Sequence, residues 1–263
     1  MNSDIRKYTA LFVAQRLEMG EKEWFFQPRF PFSAAKGASM AFPRSAADQK
    51  TSGKPGKADG EITCCTPECT NAEAVYAQKT LEELREAVIK CLRCSLGDSR
   101  THFVFGSGNP LAHIMFIGEA PGAEEDQQGL PFVGRAGQLL TRMIESIKLR
   151  REDVYITNVL KCRPPGNRDP LPAEIEKCEP ILIRQIEIIR PRIICALGRI
   201  SGQTLIRSSA TLGALRGKVH DYHGVKLVVT YHPAALFRNP QWKRPTWEDL
   251  KFLRREYDGM EIS

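Results

Sequence analysis

Two groups of residues in this sequence are of types and spacings that could do chemistry. The first is made of thiols. Cys91 and Cys94 form a CxxC pair, and Cys162 and Cys178 stand on either side of a proline-rich stretch much later in the chain. Thiolates with no histidine among them suit a zinc ion or an iron–sulfur cluster almost equally. Cys162 and Cys178 can also be read as small buried hydrophobes, as Cys195 is. The second group sits where apolar runs stop. Gly118-Glu119-Ala120-Pro121-Gly122 follows Ile114–Ile117, Asn158 follows Val154–Thr157, His232 follows Lys226–Tyr231, and Phe132 lies in the loop Gly129–Gly134. An amide, an imidazole and a phenyl ring brought together suit a flat heterocycle: the ring stacks, the amide meets a donor–acceptor edge, and the imidazole donates to a carbonyl. Each alone has a plainer reading, Asn158 as a helix cap, His232 and Phe132 as core.

Those residues converge only if the runs that carry them are parallel strands. Ile114–Ile117 and Ile193–Leu197 are short and β-branched, as strands buried on both faces are. Between them lie helical patterns. Thr80 and Glu83 make a capping box ahead of Leu81, Leu84, Val88 and Cys91; Ala136 to Ile147 and Ile175 to Ile189 repeat at helical spacing. A hairpin is expected around Gly224, and a last helix near Thr246, with Asp249 at capping-box distance. Strands alternating with helices predict a three-layer α/β/α fold with a central, mainly parallel four-stranded sheet. In such sheets ligands sit outside the C-terminal strand ends, here the turn 118–122, Asn158 and His232.

Ahead of this domain, placed at residues 77–263, the chain changes character. Residues 3 to 19 can form a short amphipathic helix within a segment 1–26, with Ile5, Tyr8, Leu11 and Phe12 on its apolar side. Residues 27–76 carry prolines among Gly, Ser, Ala and Lys, a composition that suits a flexible linker. Cys64, Cys65 and Cys69 fall in it and are read as free thiols. The net charge of +7 and a pI near 9.0 fit a polyanionic partner. No apolar run is long enough to span a membrane, and no signal-peptide core is present, so a cytoplasmic protein is expected. Eight cysteines in a reducing compartment favour metal ligation over disulfides. His232-Pro233-Ala234-Ala235-Leu236-Phe237-Arg238-Asn239-Pro240 offers an apolar tip beside Arg238, Lys243 and Arg244, suited to wedging into a base stack while cations hold phosphates.

Four stretches carry a family resemblance: GEAPG (118–122), GLPFVGRAGQLL (129–140), YITNVLKCRPPGNRDPLP (155–172) and HPAALFRNP (232–240). Residues 80 to 257 resemble the family 4 uracil-DNA glycosylases, the iron–sulfur branch of that superfamily. The resemblance implies a 4Fe–4S cluster on Cys91, Cys94, Cys162 and Cys178. It implies a pocket for uracil from Gly118, Glu119, Ala120, Glu125, Phe132, Asn158 and His232, with Glu119, Asn158 and His232 catalytic. Glu125 would crowd the C5 side against thymine. Leu236, Arg238, Arg163 and Arg168 are the expected DNA contacts, Leu236 filling the space of a flipped base. Other superfamily members carry an aspartate where this chain has Ala120, and crosslinking relatives carry a histidine that RPPGNRDP lacks. The expected activity is monofunctional excision of uracil from single- or double-stranded DNA by a monomer. A catalytically silent uracil-DNA reader and an iron–sulfur redox protein are the alternatives. The linker cysteines and a partner for the N-terminal helix lie outside what the resemblance explains.

Overall fold

The computed structural model describes residues 72–260, all within the compact unit from Ile62 to Ser263. The expected helix over 3–19, nearly all of the expected linker, and Cys64, Cys65 and Cys69 lie outside the described residues.

Three helices come first: α1 (Ala72–Ala77), α2 (Leu81–Val88) and the single turn α3 (Leu96–Ser99). Then β1 (Ser107–Gly108), β2 (Ile114–Gly118), α4 (Ala123–Gln128), α5 (Arg135–Ser146), β3 (Tyr155–Asn158) and α6 (Pro172–Ile189) follow. The C-terminal part holds β4 (Ile193–Leu197), α7 (Arg199–Ile206), α8 (Leu212–Leu215), β5 (His220–Tyr222), β6 (Val225–Thr230), α9 (Pro233–Arg238) and α10 (Lys243–Asp258). The sheet order is β1-β3-β2-β4-β6-β5. Its four middle strands are parallel, as expected, while β1 and β5 pair antiparallel at the edges. The sheet therefore has six strands rather than four. β1 is two residues long with a glycine, and it carries no apolar run from which a strand could be read.

Alternation along each strand divides the core in two. Ile114 and Phe116 of β2, with Cys195 of β4 and Val228 of β6, face α5 and α10 through Leu140, Ile144, Leu250 and Leu253. Met115 and Ile117, with Ile194, Ala196, Leu227 and Val229, face the other layer through Leu84, Ile181, Leu182 and Leu205. Strands buried on both faces read as continuous apolar runs, which is why their positions could be found from sequence.

Two local expectations change. Thr80 does cap α2, accepting from Glu83 N at 3.1 Å while Glu83 reaches back to Thr80 N. Yet ordered structure begins before it: α1 packs on α6, with Val75 in the core and Arg184 Nε donating to Gln78 O at 2.7 Å. Thr246 is not an N-cap, because α10 already starts at Lys243 and tolerates Pro245 in its first turn. Thr246 Oγ1 donates to Trp242 O at 2.7 Å, and Asp249 turns to the sheet instead, accepting from Thr230 Oγ1 and Arg216 Nε, each at 2.6 Å. An acceptor for a buried hydroxyl and a guanidinium stabilises more than a solvated cap.

A chain begun at Thr80 should be less stable than one begun at Asn71, by roughly 1.5–3 kcal/mol for the lost burial of Val75. Urea unfolding of the two is the measurement; equal midpoints would show that α1 adds nothing to the core.

Candidate active site

Parallel pairing delivers the strand ends to one edge. Gly118 lies opposite Asn158 in the β2–β3 register, and Leu197 lies opposite Thr230 in β4–β6. The chain beyond Thr230 reaches His232, which caps α9. The amide, the imidazole and the phenyl ring expected to converge do so.

The closest approach is at Gly118. Any side chain there would collide with Asn158 Oδ1 and with the Phe132 ring, so glycine is required for lack of space rather than for its φ. Asn158 is buried, and its Oδ1 has no hydrogen-bond partner. Such an acceptor costs about 1–3 kcal/mol of desolvation, and it is the most direct sign that a donor belongs there. Phe132 is also buried and holds a left-handed backbone, φ 52°. A bulky residue in that region marks strain maintained by its surroundings. Its ring centroid lies 5.6 Å from that of His232, at 33°.

Several groups fix this loop. Glu125 Oε1 accepts from Val133 N at 3.0 Å and Gly134 N at 3.1 Å, and Oε2 accepts from Gly122 N at 3.1 Å. Its carboxylate thus joins the two glycine-bearing loops. Arg151 donates to Pro131 O at 2.7 Å from the other side. Gly198, at φ 96°, packs against His232; a Cβ there would lie 2.9 Å from the histidine Cβ. Below His232, Tyr231 stacks on Trp242 with centroids 4.7 Å apart, and Arg216 covers its other side at 4.3 Å.

His232 has a defined tautomer. Ala234 N–H donates to Nδ1 at 3.2 Å, so Nδ1 is the acceptor and Nε2 carries the proton. Burial lowers its pKa from 6.5 to about 4; Glu125 opposes the shift and Arg238 adds to it. At neutral pH it is an uncharged donor. Glu119 moves the other way. Burial raises it from 4.5 to about 7, Asp169 adds to the rise, and Arg199 opposes it.

The four cysteines also gather. Cys162 and Cys178 lie in a small cluster with Leu96 and Leu160, against which Cys94 and Ala120 pack. Arg93 Nε donates to Cys91 Sγ and Arg100 to Cys162 Sγ, both at 3.4 Å; Lys161 N donates to Cys178 Sγ at 3.3 Å. Burial pushes the Cys162 thiol up to about 11 and that of Cys178 to about 12. Among the described residues no three His, Cys, Asp or Glu side chains are placed to hold a single metal ion.

The expected DNA contacts fare unevenly. Arg238 is exposed beside the pocket. Arg163 is half-buried and donates to Asn167 Oδ1 at 2.8 Å. Arg168 is committed to Glu174 in a two-pronged pair at 2.6 and 2.9 Å, so it braces the proline-rich loop. Leu236 is 2% exposed, in the core against α5 and α10. The stretch is a short helix, started by Pro233 at its first position, and this turns Leu236 inward. The exposed apolar side chain is Phe237, at 42%, with Arg135 5.0 Å above its ring.

Lys161 is the residue sequence reasoning missed. It is fully buried, and its Nζ donates to Thr157 Oγ1 at 2.6 Å and to Asn158 O and Gln185 Oε1, each at 2.7 Å. A lysine inside the apolar run Val159–Cys162 was the available signal.

The two shifted groups tilt stability in opposite directions. Between about pH 6.5 and 4 the unfolded chain protonates His232 and the native one does not, so stability falls as pH drops through that range. Between 4.5 and about 7 the native chain keeps the Glu119 proton that the unfolded chain has lost, so stability falls as pH rises. His232→Ala should lessen the loss on the acid side, and Glu119→Gln should lessen the loss toward neutrality. Urea midpoints followed against pH would show both; wild-type slopes in either variant would refute that assignment.

Residues 105–251 match the profile of the uracil DNA glycosylase superfamily. A type-4 uracil-DNA glycosylase of Archaeoglobus fulgidus is 47% identical over 181 residues, 66% of this chain and 91% of that protein. One from Thermotoga maritima is 44% identical over 191 residues, 69% of this chain and all of its own length. A type-5 enzyme of Pyrobaculum aerophilum is more distant, at 33% over 166 residues. With its parallel sheet, its strand-end site and these matches, the chain belongs to the uracil-DNA glycosylase superfamily, in the family 4 branch.

Proposed function

We propose that this protein excises uracil from DNA by hydrolysing the N-glycosidic bond, the first step of base excision repair. The unpartnered Asn158 Oδ1, buried between Gly118 and the Phe132 ring, carries the reading. Uracil offers a donor at N3 and an acceptor at O4. Asn158 accepts from the first with Oδ1 and donates to the second with Nδ2. Phe132 stacks on the ring. Glu125, fixed by three backbone amides, walls the pocket on the C5 side, where thymine carries its methyl group.

Breaking the bond leaves positive charge on the sugar and negative charge on the departing base. His232 Nε2–H donates to uracil O2 and stabilises the developing anion; being neutral, it gives a hydrogen bond without giving up its proton. Water adds its hydroxyl to C1′, and its proton passes to Glu119, whose raised pKa suits a base near neutral pH. Uracil departs as the N1 anion. Ala120 offers no carboxylate, so Glu119 is the acid group nearest the turn. Exposed Arg135 and Arg238 meet phosphates, and Phe237 is the apolar side chain at the surface in place of the expected Leu236.

Cys91, Cys94, Cys162 and Cys178 would hold a 4Fe–4S cluster. The donor set fits: four thiols, three of them receiving N–H···S bonds, two of those from arginines. When bound, the cluster would supply four Fe–S bonds tying the turn after α2 to the β3–α6 connection, through Cys162, and to α6, through Cys178. Ligands drawn from separate elements would make it a structural element.

Incubation with an oligonucleotide bearing one uracil, followed by alkali, should cut the strand at that site, and borohydride should trap no covalent adduct. An uncut strand would refute the activity. His232→Ala and Asn158→Ala should each slow single-turnover cleavage by about 10²–10³ or less. The rate should rise with pH through about 7, and Glu119→Gln should flatten that rise.

The holoprotein should be brown. Cys178→Ser should bleach it and lower its thermal midpoint, whereas Cys195→Ser should keep the colour. Stoichiometric zinc without iron after anaerobic purification would overturn the cluster.

A further inference from the structure

Lys161 touches the cysteine site through its backbone N–H and the Asn158 carbonyl through its side chain, and the side chain has no role in the reading above. Burying an ammonium is costly unless every N–H is paired. Here the three N–H groups meet three acceptors: Thr157 Oγ1, Asn158 O and Gln185 Oε1. The cage is itself anchored, since Thr157 Oγ1 and Gln185 Nε2 both donate to Phe105 O at 2.9 Å. The same lysine's backbone N–H donates to Cys178 Sγ at 3.3 Å.

We propose that Lys161 is a positioning residue for Asn158: it fixes the backbone of the uracil-reading amide and ties it to the Cys178 anchorage. This rests on the glycosylase reading above. Asn158 Oδ1 has no partner of its own, so the amide's place depends on its backbone and immediate neighbours. A recognition group must be held to within about 0.5 Å of its productive position. The Lys161 side chain, fully buried and curled back three residues onto Asn158 O, supplies that restraint.

The test is a pair of double-mutant cycles on the full-length holoprotein, with single-turnover cleavage of single-stranded uracil DNA. Lys161→Met and Gln185→Met are each made in the native and the Asn158→Ala backgrounds. Lys161→Met should slow cleavage by about 10–100-fold in the native background, with less than about twofold further loss when Asn158 is already alanine. Gln185→Met removes one acceptor and should give a smaller loss that also vanishes in the alanine background; it carries the test if Lys161→Met does not fold. Equal fold-losses in both backgrounds, or no loss in the native one, would overturn the proposal. A second readout is independent of activity. The side-chain NH2 signal of Asn158 in 15N-asparagine-labelled protein, identified by its loss in Asn158→Ala, should shift or broaden in both variants while the brown colour remains. An unmoved signal overturns the positioning role. A native protein that leaves uracil DNA uncut would count against the glycosylase reading alone, and the NMR signal would still decide the role of Lys161.

Discussion

The ends of β2 and β3 come so close that position 118 has no room for a side chain. Much of the site follows from that contact. The main-chain ladder continues past the strands, with Val159 N donating to Gly118 O at 2.9 Å and Leu160 N to Glu119 O at 3.0 Å. The turn bearing Glu119 is therefore held to the segment bearing Asn158, and neither can move alone. Ser201 Oγ donates to Ile117 O at 2.7 Å, adding a tie from α7 to the same strand end. Phe132 fits over this narrow floor only by adopting a left-handed backbone, which the Glu125 and Arg151 contacts oppose relaxing. Two strand ends in contact, with an aromatic ring closing the third side, are the geometry on which the proposed uracil site rests.

Burial then decides the charge states. The same desolvation that lowers His232 raises Glu119, because in each case it disfavours the ion. The outcome is a neutral donor and a weakly acidic carboxyl group, both carried by the chain just beyond the C-terminal strand ends. For a bond whose leaving group departs as an anion, fixed neutral donors are useful, since they stabilise developing charge with little reorganisation. Arg135 and Arg238 place positive charge at the surface, where phosphates are the natural counterpart.

The features legible in the sequence were those that depend on burial and on strand ends. Ile193–Leu197 was located residue for residue because both its faces are covered, and the Thr80 capping box because it is local. Asn158, His232 and Phe132 could be grouped because parallel strands must put their ends on one edge. What could not be read depended on where a side chain points and which distant group meets it. Leu236 and Phe237 are adjacent and both apolar, and only the start of α9 at Pro233 determines that the first turns inward. Arg168 looked available for phosphate, but Glu174, six residues on, takes it up. Asp249 looked like a cap, yet the tertiary partners Thr230 and Arg216 outcompete the local one. Lys161 is not legible because the three acceptors that let a lysine be buried come from Thr157, Asn158 and the distant Gln185.

The six residues from Thr157 to Cys162 show why these roles are packed so closely. Thr157, one residue before the end of the strand, has a hydroxyl that joins Lys161, Phe105 and the Gln185 network. Asn158 presents the amide, Val159 and Leu160 bind the neighbouring turn, Lys161 braces the amide from below, and Cys162 leads into the cysteine site. A strand alone could not do this, because its end is free to fray once the ladder stops. Anchoring the chain again within a few residues shortens the unsupported stretch and confines the amide. Four thiolates holding one cluster would make that second anchor covalent in character, joining α6 and the turn after α2 to the strand end. On this view the cysteine site contributes to recognition by limiting how far the segment that carries Asn158 can move, while taking no part in the bond that breaks.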